Sequence, residues 1–213
     1  MIAFAQKYPQ KILGPLLGHL ELTGTALAIS LLLAAVIALA AIRSKTLSQL
    51  VVGAMGAVYA IPSLALFALL IPFLGLGQKT AVTVLVAYNQ FILVRNILAG
   101  FQSIDPAVVE SARGMGMSRL QILFRIELPL ASPAILAGMR IAAVSTIGIA
   151  TIAATINAGG LGQILFDGLR TRNTVKILWG VVLSASMTLA ANGLFAWLEK
   201  RARQYVIGKG DAG

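Results

Sequence analysis

Cysteine is absent from the 213 residues. That excludes disulfides, thiolate metal sites and cysteine nucleophiles, and leaves the redox compartment open. Histidine occurs once, as His19, which removes most metal-site options; its position ahead of the first long apolar run reads as an interfacial polar residue. Acidic residues number only 7, and charged residues of both signs make up 11% of the chain, about half of the ~25% usual in a soluble domain. The stretch G-x-x-x-x-G-K-[ST] is missing, so the chain carries no phosphate-cradling loop of its own. Neither a carboxylate pair nor a metal cluster occurs within the apolar runs, so the chain offers no catalytic residues and is read as a non-enzyme. The formal charge of +10 raises the question of nucleic acid. A nucleic-acid face needs basic residues clustered with aromatics, and here they are scattered between apolar runs.

What the chain has instead is apolar length. Residues of hydrophobic type make up 58%, gathered in runs of roughly 20, the length that spans a hydrocarbon core. Five spans are expected, at about 20–42, 47–73, 81–101, 133–156 and 175–198, giving an all-α, polytopic membrane protein in a single domain over 1–213. The first run is too long for the apolar core of a cleaved signal peptide. The second is interrupted by Pro62 and Pro72, and a proline within a membrane helix frees a carbonyl that neighbours or a water-lined cavity must satisfy. Trp179 and Trp197 are eighteen residues apart, about 27 Å of helix, and read as the two interfacial anchors of the last span. Arg140 enters the fourth span with no acidic residue in the interior of the spans to pair with it.

Orientation follows from lysine and arginine in the short loops. Arg43, Lys45, Arg113, Arg119, Arg125, Lys200, Arg201, Arg203 and Lys209 fall on one side; Lys7, Lys11, Lys79, Arg170, Arg172 and Lys176 fall on the other. The first side is read as cytoplasmic, which places the C-terminus inside and the N-terminus outside.

Between the third and fourth spans, segment 103–129 is too structured for a connector. Asp105 is an N-cap followed by Pro106 at the first helical position. Gly114 and Gly116 stop that helix, Ser118 restarts one with Gln121 as the far side of a capping box, and Pro129 ends it. Within it stand Glu110-Ser111-Ala112, three residues, Gly116, nine residues, then Ile126, one residue, Leu128-Pro129. This resembles the EAA loop, E-A-A, x3, G, x9, I-x-L-P, of binding-protein-dependent ATP-binding-cassette importer permeases, with Ser111 for alanine the single departure. The resemblance implies a type I importer permease in the inner membrane of a prokaryote, with this loop docked on a cytoplasmic ATPase subunit. ATP and Mg would then belong to the partner, with no cofactor or metal on this chain.

Ala60-Ile61-Pro62-Ser63-Leu64-Ala65-Leu66, continuing to Gly77, and Gly159-Gly160-Leu161-Gly162 are similar to segments of osmoprotectant importer permeases. That resemblance implies alternating-access uptake of glycine betaine, choline, carnitine or a similar quaternary ammonium. Methionine or ergothioneine importers are the alternative; an ATP-independent carrier or channel is the alternative of another class. An aromatic cage for such a cation needs several rings in a folded domain, and the chain continues only briefly past the fifth span, so a separate extracytoplasmic binding protein is expected. A second permease copy or paralogue is expected beside it. Candidate pathway groups are Pro62, Ser63, Tyr88, Asn89, Gln90 and Asn157, with Thr151 and Thr155 close to the last. For 157–174 two readings stand, an external gate or a helix at the membrane surface.

Overall fold

The first apolar run folds as one helix, α1 (Gln10–Ala41), which starts ten residues ahead of the expected span and carries Pro15 inside it. The structure, a computed structural model, describes residue 6 and residues 8–210, with side chains as far as Val206. Lys7 and the side chain of Lys209, both counted for orientation, lie outside the described residues. Every regular element among the described residues is helical. After α1 come α2 (Lys45–Tyr59), α3 (Ser63–Leu74), α4 (Gln78–Gln102), α5 (Pro106–Gly114), α6 (Arg119–Ile122), α7 (Leu128–Ile152), α8 (Gly162–Arg170) and α9 (Thr174–Gly210).

Among the described residues four stretches are long and apolar enough to cross a membrane: Gln10–Ala41, Gln78–Gln102, Arg119–Ile156 and Thr174–Val206. The fifth is α2 with α3, bent by 92° at the break. The second span is therefore two short helices at a right angle, a stronger interruption than a kink, and Pro62 rather than Pro72 makes it. Pro62 caps α3 with an extended ψ of 135°, whereas Pro72 sits inside α3 without breaking it.

α4 is the hub. Two thirds of its most apolar window, 67%, is buried within the chain, against none of the corresponding window of α9. α1 lies against α4 along a stripe of small residues spaced at three or four: Ala26, Ser30, Ala34, Ala38 and Ala41, all buried. Small side chains at that spacing let two membrane helices approach closely and gain dispersion contacts that lipid would not give. The α4–α7 face uses the same device, since a methyl group on Gly138 would lie 2.5 Å from Asn96 Cβ and one on Gly100 3.0 Å from the Ala131 carbonyl oxygen.

Two sequence-based expectations are overturned on α7. Pro129 does not end a helix. Residues Arg119–Ile156 form a single rod of 38 residues, because a π-turn at Leu123–Glu127 lets the Leu128 N–H reach the Leu123 carbonyl and absorbs the proline that follows. Pro133 lacks the N–H that would meet the Pro129 carbonyl, and the Ser132 hydroxyl donates to that oxygen instead, at 2.7 Å. Arg140, expected to lack an acidic partner, lies 3.5 Å from Glu199; Glu199 is also 3.0 Å from Arg203. α9 continues past the expected end of the fifth span and, packed on α7, brings its carboxylate beside Arg140.

Candidate functional site

Segment 103–129 builds its own geometry from local chemistry. Asp105 Oδ1 accepts the Ala107 N–H at 2.9 Å and starts α5. The Ser118 hydroxyl accepts from Gln121 N while Gln121 Oε1 accepts from Ser118 N, a closed capping box that starts α6. Between them, Gly116 has φ +80°, the Gly116 N–H meets the Arg113 carbonyl and the Met117 N–H meets the Ala112 carbonyl. These are the paired bonds of a Schellman turn, which satisfies the orphan carbonyls of α5 and requires the left-handed residue that glycine supplies.

The residues of the motif divide by exposure. Ala112 is buried and anchors α5; Glu110 and Ser111 are exposed on it. The Ser111 hydroxyl turns back onto the Ala107 carbonyl at 2.8 Å. Glu110 forms no ion pair with any described residue, Arg113 included. Ile126 and Pro129 line a groove of about 320 Å³ that also takes in Val108, Leu130 and Tyr205, and Leu128 is partly exposed on the rod. Arg43, Arg113 and Arg119 line one cleft of about 400 Å³, so the end of α1 and the 103–129 segment share one end of the bundle. Lys11, Asp167 and Lys176 share a cavity at the other.

Within the bundle, the sequence-predicted pathway residues do different things. Pro62 is exposed at the α2–α3 bend and Ser63 is half-buried beside it. The Tyr88 hydroxyl donates to the Ile61 carbonyl at the break between α2 and α3, so the ring braces the bend from α4. Tyr59 supports that ring edge-on at 5.5 Å. Asn89 is spent on other helices of the same chain: its Nδ2 donates to Ser30 Oγ at 3.2 Å and its Oδ1 accepts from Thr146 Oγ1 at 3.0 Å. Gln90 donates to the Ser30 and Val86 carbonyls. Asn157 is exposed, in a left-handed conformation at φ 64°, and a methyl group on Gly77 would lie 3.9 Å from its carbonyl oxygen. The bend and the Asn157 turn are thus accessible, while Tyr88, Asn89 and Gln90 are buried behind them.

At the Asn157 end the structure shows a residue that sequence reasoning misplaced. His19, expected as an interfacial polar residue, is fully buried within the chain on α1. Its Nε2 lies 3.2 Å from the Ile147 carbonyl of α7, and its Nδ1 accepts the Leu161 N–H at 3.2 Å. One sequence signal pointed that way: Gly18 stands beside it in a run that is apolar from Ile12 onward. Segment 157–170 folds back on the bundle, with Leu161, Ile164 and Gly168 buried. Asp167, on α8 outside the spans, is bound by Lys176 Nζ at 2.7 Å and Arg170 at 3.1 Å, which hold its carboxyl below the usual carboxylate range. Among the described residues no group of His, Asp and Glu converges to hold a metal.

Residues 22–204 match the family described as the binding-protein-dependent transport system inner membrane component. The chain belongs to that family. It is a permease subunit of an ATP-binding-cassette importer, a multi-pass membrane protein. The permease is 32% identical over 201 residues to a carnitine transport permease, OpuCB of Listeria monocytogenes, covering 94% of this chain and 92% of that one. It is 39% identical over 159 residues to the glycine betaine/carnitine/choline transport system permease OpuCD of Bacillus subtilis, covering 74% and 69%. Among solved structures it matches a chain of the inward-facing MetNI methionine transporter with a TM-score of 0.82 at 18% identity, over 90% of this chain and 95% of that one. That likeness shows the shared fold, the type I permease architecture of five spans.

Proposed function

We propose that this permease imports a compact quaternary ammonium osmoprotectant, of the glycine betaine, choline and carnitine class, by alternating access. The names of its relatives support the substrate class. ATP is hydrolysed on a separate cytoplasmic subunit seated on residues 103–129, with Glu110, Ser111 and Gly116 presented to it and Ile126, Leu128 and Pro129 joining the docked end to the α7 rod. The observation that carries this reading is the exposed, unpaired Glu110 on a self-capped helix that runs, through one glycine turn, into a rod crossing the membrane. Such a lever can convert a push at one membrane face into movement at the other, shifting populations between states open to either side.

In this account two permeases, identical or paralogous, enclose the pathway, an extracytoplasmic binding protein delivers the substrate, and the N-terminus lies outside with the C-terminus in the cytoplasm. Pro62, Ser63 and Asn157 face the route, and Tyr88, Asn89 and Gln90 support it from behind. Co-purification in mild detergent with the ATPase subunit, followed by uptake of labelled glycine betaine, choline and carnitine into proteoliposomes holding the binding protein, tests it. ATP-dependent accumulation of at least one of the three is the expected result; a complex that forms and accumulates none of them removes the substrate assignment, and a permease that never captures an ATPase removes the docking role.

A further inference from the structure

The polar groups around His19 are tied up in a way that links three separate parts of the chain. Ile147 is on the rod, Leu161 follows the glycine pair that ends it, and His19 is on α1. Leu161 caps the start of α8, where backbone N–H groups have no partner inside the helix; His19 Nδ1 fills that need from a distant helix. The other ring nitrogen then carries the hydrogen and donates to the Ile147 carbonyl. One neutral tautomer meets both demands, and an imidazolium would set a second N–H against the Leu161 N–H.

The surrounding backbone is shaped to admit the ring. Gly160 has φ +78°, and a methyl group there would sit 2.7 Å from His19 Nδ1. One on Gly18 would come within 3.8 Å of Gly160 N. The rod ends in a 3-10 turn at Ala153–Ile156, and Asn157 at φ 64°, Gly159 at φ 85° and Gly160 carry the chain on to α8 through left-handed conformations. His19 fixes it from outside.

We propose that His19 is a positioning residue for transport: its two hydrogen bonds join α1, the outer part of α7 and the start of α8 into one moving body. Displacement of the rod at residues 119–129 then carries segment 157–170 and α1 with it. Without the ring, the rod moves and the outer turn lags, so ATP is hydrolysed with less substrate moved. This rests on the permease reading above.

The test compares the assembled transporter, with its ATPase and binding protein in proteoliposomes, carrying wild-type, His19→Leu or His19→Gln permease. Substrate accumulated per ATP hydrolysed is measured with labelled glycine betaine, choline and carnitine. His19→Leu keeps volume and loses both bonds; about a tenfold fall in that ratio, with hydrolysis retained, is expected. His19→Gln offers an oxygen acceptor and an N–H donor and is expected to recover at least half of the ratio, which a purely packing role would not give. A wild-type ratio in His19→Leu overturns the inference, as does equal uncoupling of the two variants. Should His19→Leu fail to assemble, an uncoupled His19→Gln overturns it and a coupled one supports it. Absence of ATP-dependent uptake by the wild type would instead overturn the functional reading itself.

Discussion

The two ends of this permease are finished differently. At the end holding residues 157–176 the polar groups are satisfied within the chain: His19 binds two distant segments, Asp167 is clamped between Lys176 and Arg170, and Gly160 and Gly162 let backbone and side chains close up without room for a methyl group. At the other end, segment 103–129 satisfies its backbone by capping and leaves Glu110 and Ser111 outward: Glu110 has no ion-pair partner among the described residues, and a methyl group on Gly116 would meet nothing within 4 Å. One end closes on itself through side chains from distant helices, and the other closes only its backbone and leaves Glu110 without an ion-pair partner among the described residues. The rod Arg119–Ile156 connects them.

Substitutions of glycine separate the ends most sharply. At Gly162 a methyl group would fall 1.9 Å from the Thr151 carbonyl oxygen, a backbone clash that only a shift of the helix relieves. Gly162→Ala is expected to cost about 3 kcal/mol or more, seen as a large drop in folded, monodisperse protein on size exclusion; unchanged yield and melting would show that this end is looser than described. Gly116→Trp, at the opposite end, strains only a left-handed turn, about 1–2 kcal/mol, in open space. Folded protein and membrane insertion should persist while uptake is abolished, and normal uptake would remove the turn from the coupling path.

The smallest effect concerns Asp167. Its carboxyl titrates below its unfolded value of 3.8 because of Lys176 first and Arg170 second. The stabilisation is therefore fully present above that value and is lost as the pH falls through the lower folded one. The Asp167 side chain is 38% exposed and its attraction is screened by solvent, so Asp167→Asn should lower the apparent melting temperature by no more than about 2 °C at pH 7, with the difference from wild type shrinking as the pH is lowered to about 2. A difference that persists undiminished at that pH would mean that the charge is not what holds α8 to α9.

Legibility in the sequence followed the range of the interactions. The apolar runs and the caps of α5 and α6 were readable because each depends on residues within a few positions of one another, as with Asp105 and Ala107 or Ser118 and Gln121. Pro62 announced an interruption, but the 92° bend rests on Tyr88 and its neighbours on α4 as well. Pro129 misled because proline's local rule, that it ends a helix, yields where the π-turn just before it absorbs the lost bond. Arg140 misled because its partner Glu199 lies beyond the expected end of a span and meets it only through helix packing.

By itself, then, the sequence determined membrane residence, the number of spans and the capped helices of segment 103–129, since run length and capping are local quantities. Only the tertiary structure decided that the rod is unbroken and that His19, read as an interfacial polar residue, is buried between α1, the rod and the start of α8. The two groups that bind its ring are 128 and 142 positions away, and nothing in the order of residues along a helix states which distant backbone will need a hydrogen-bond partner there.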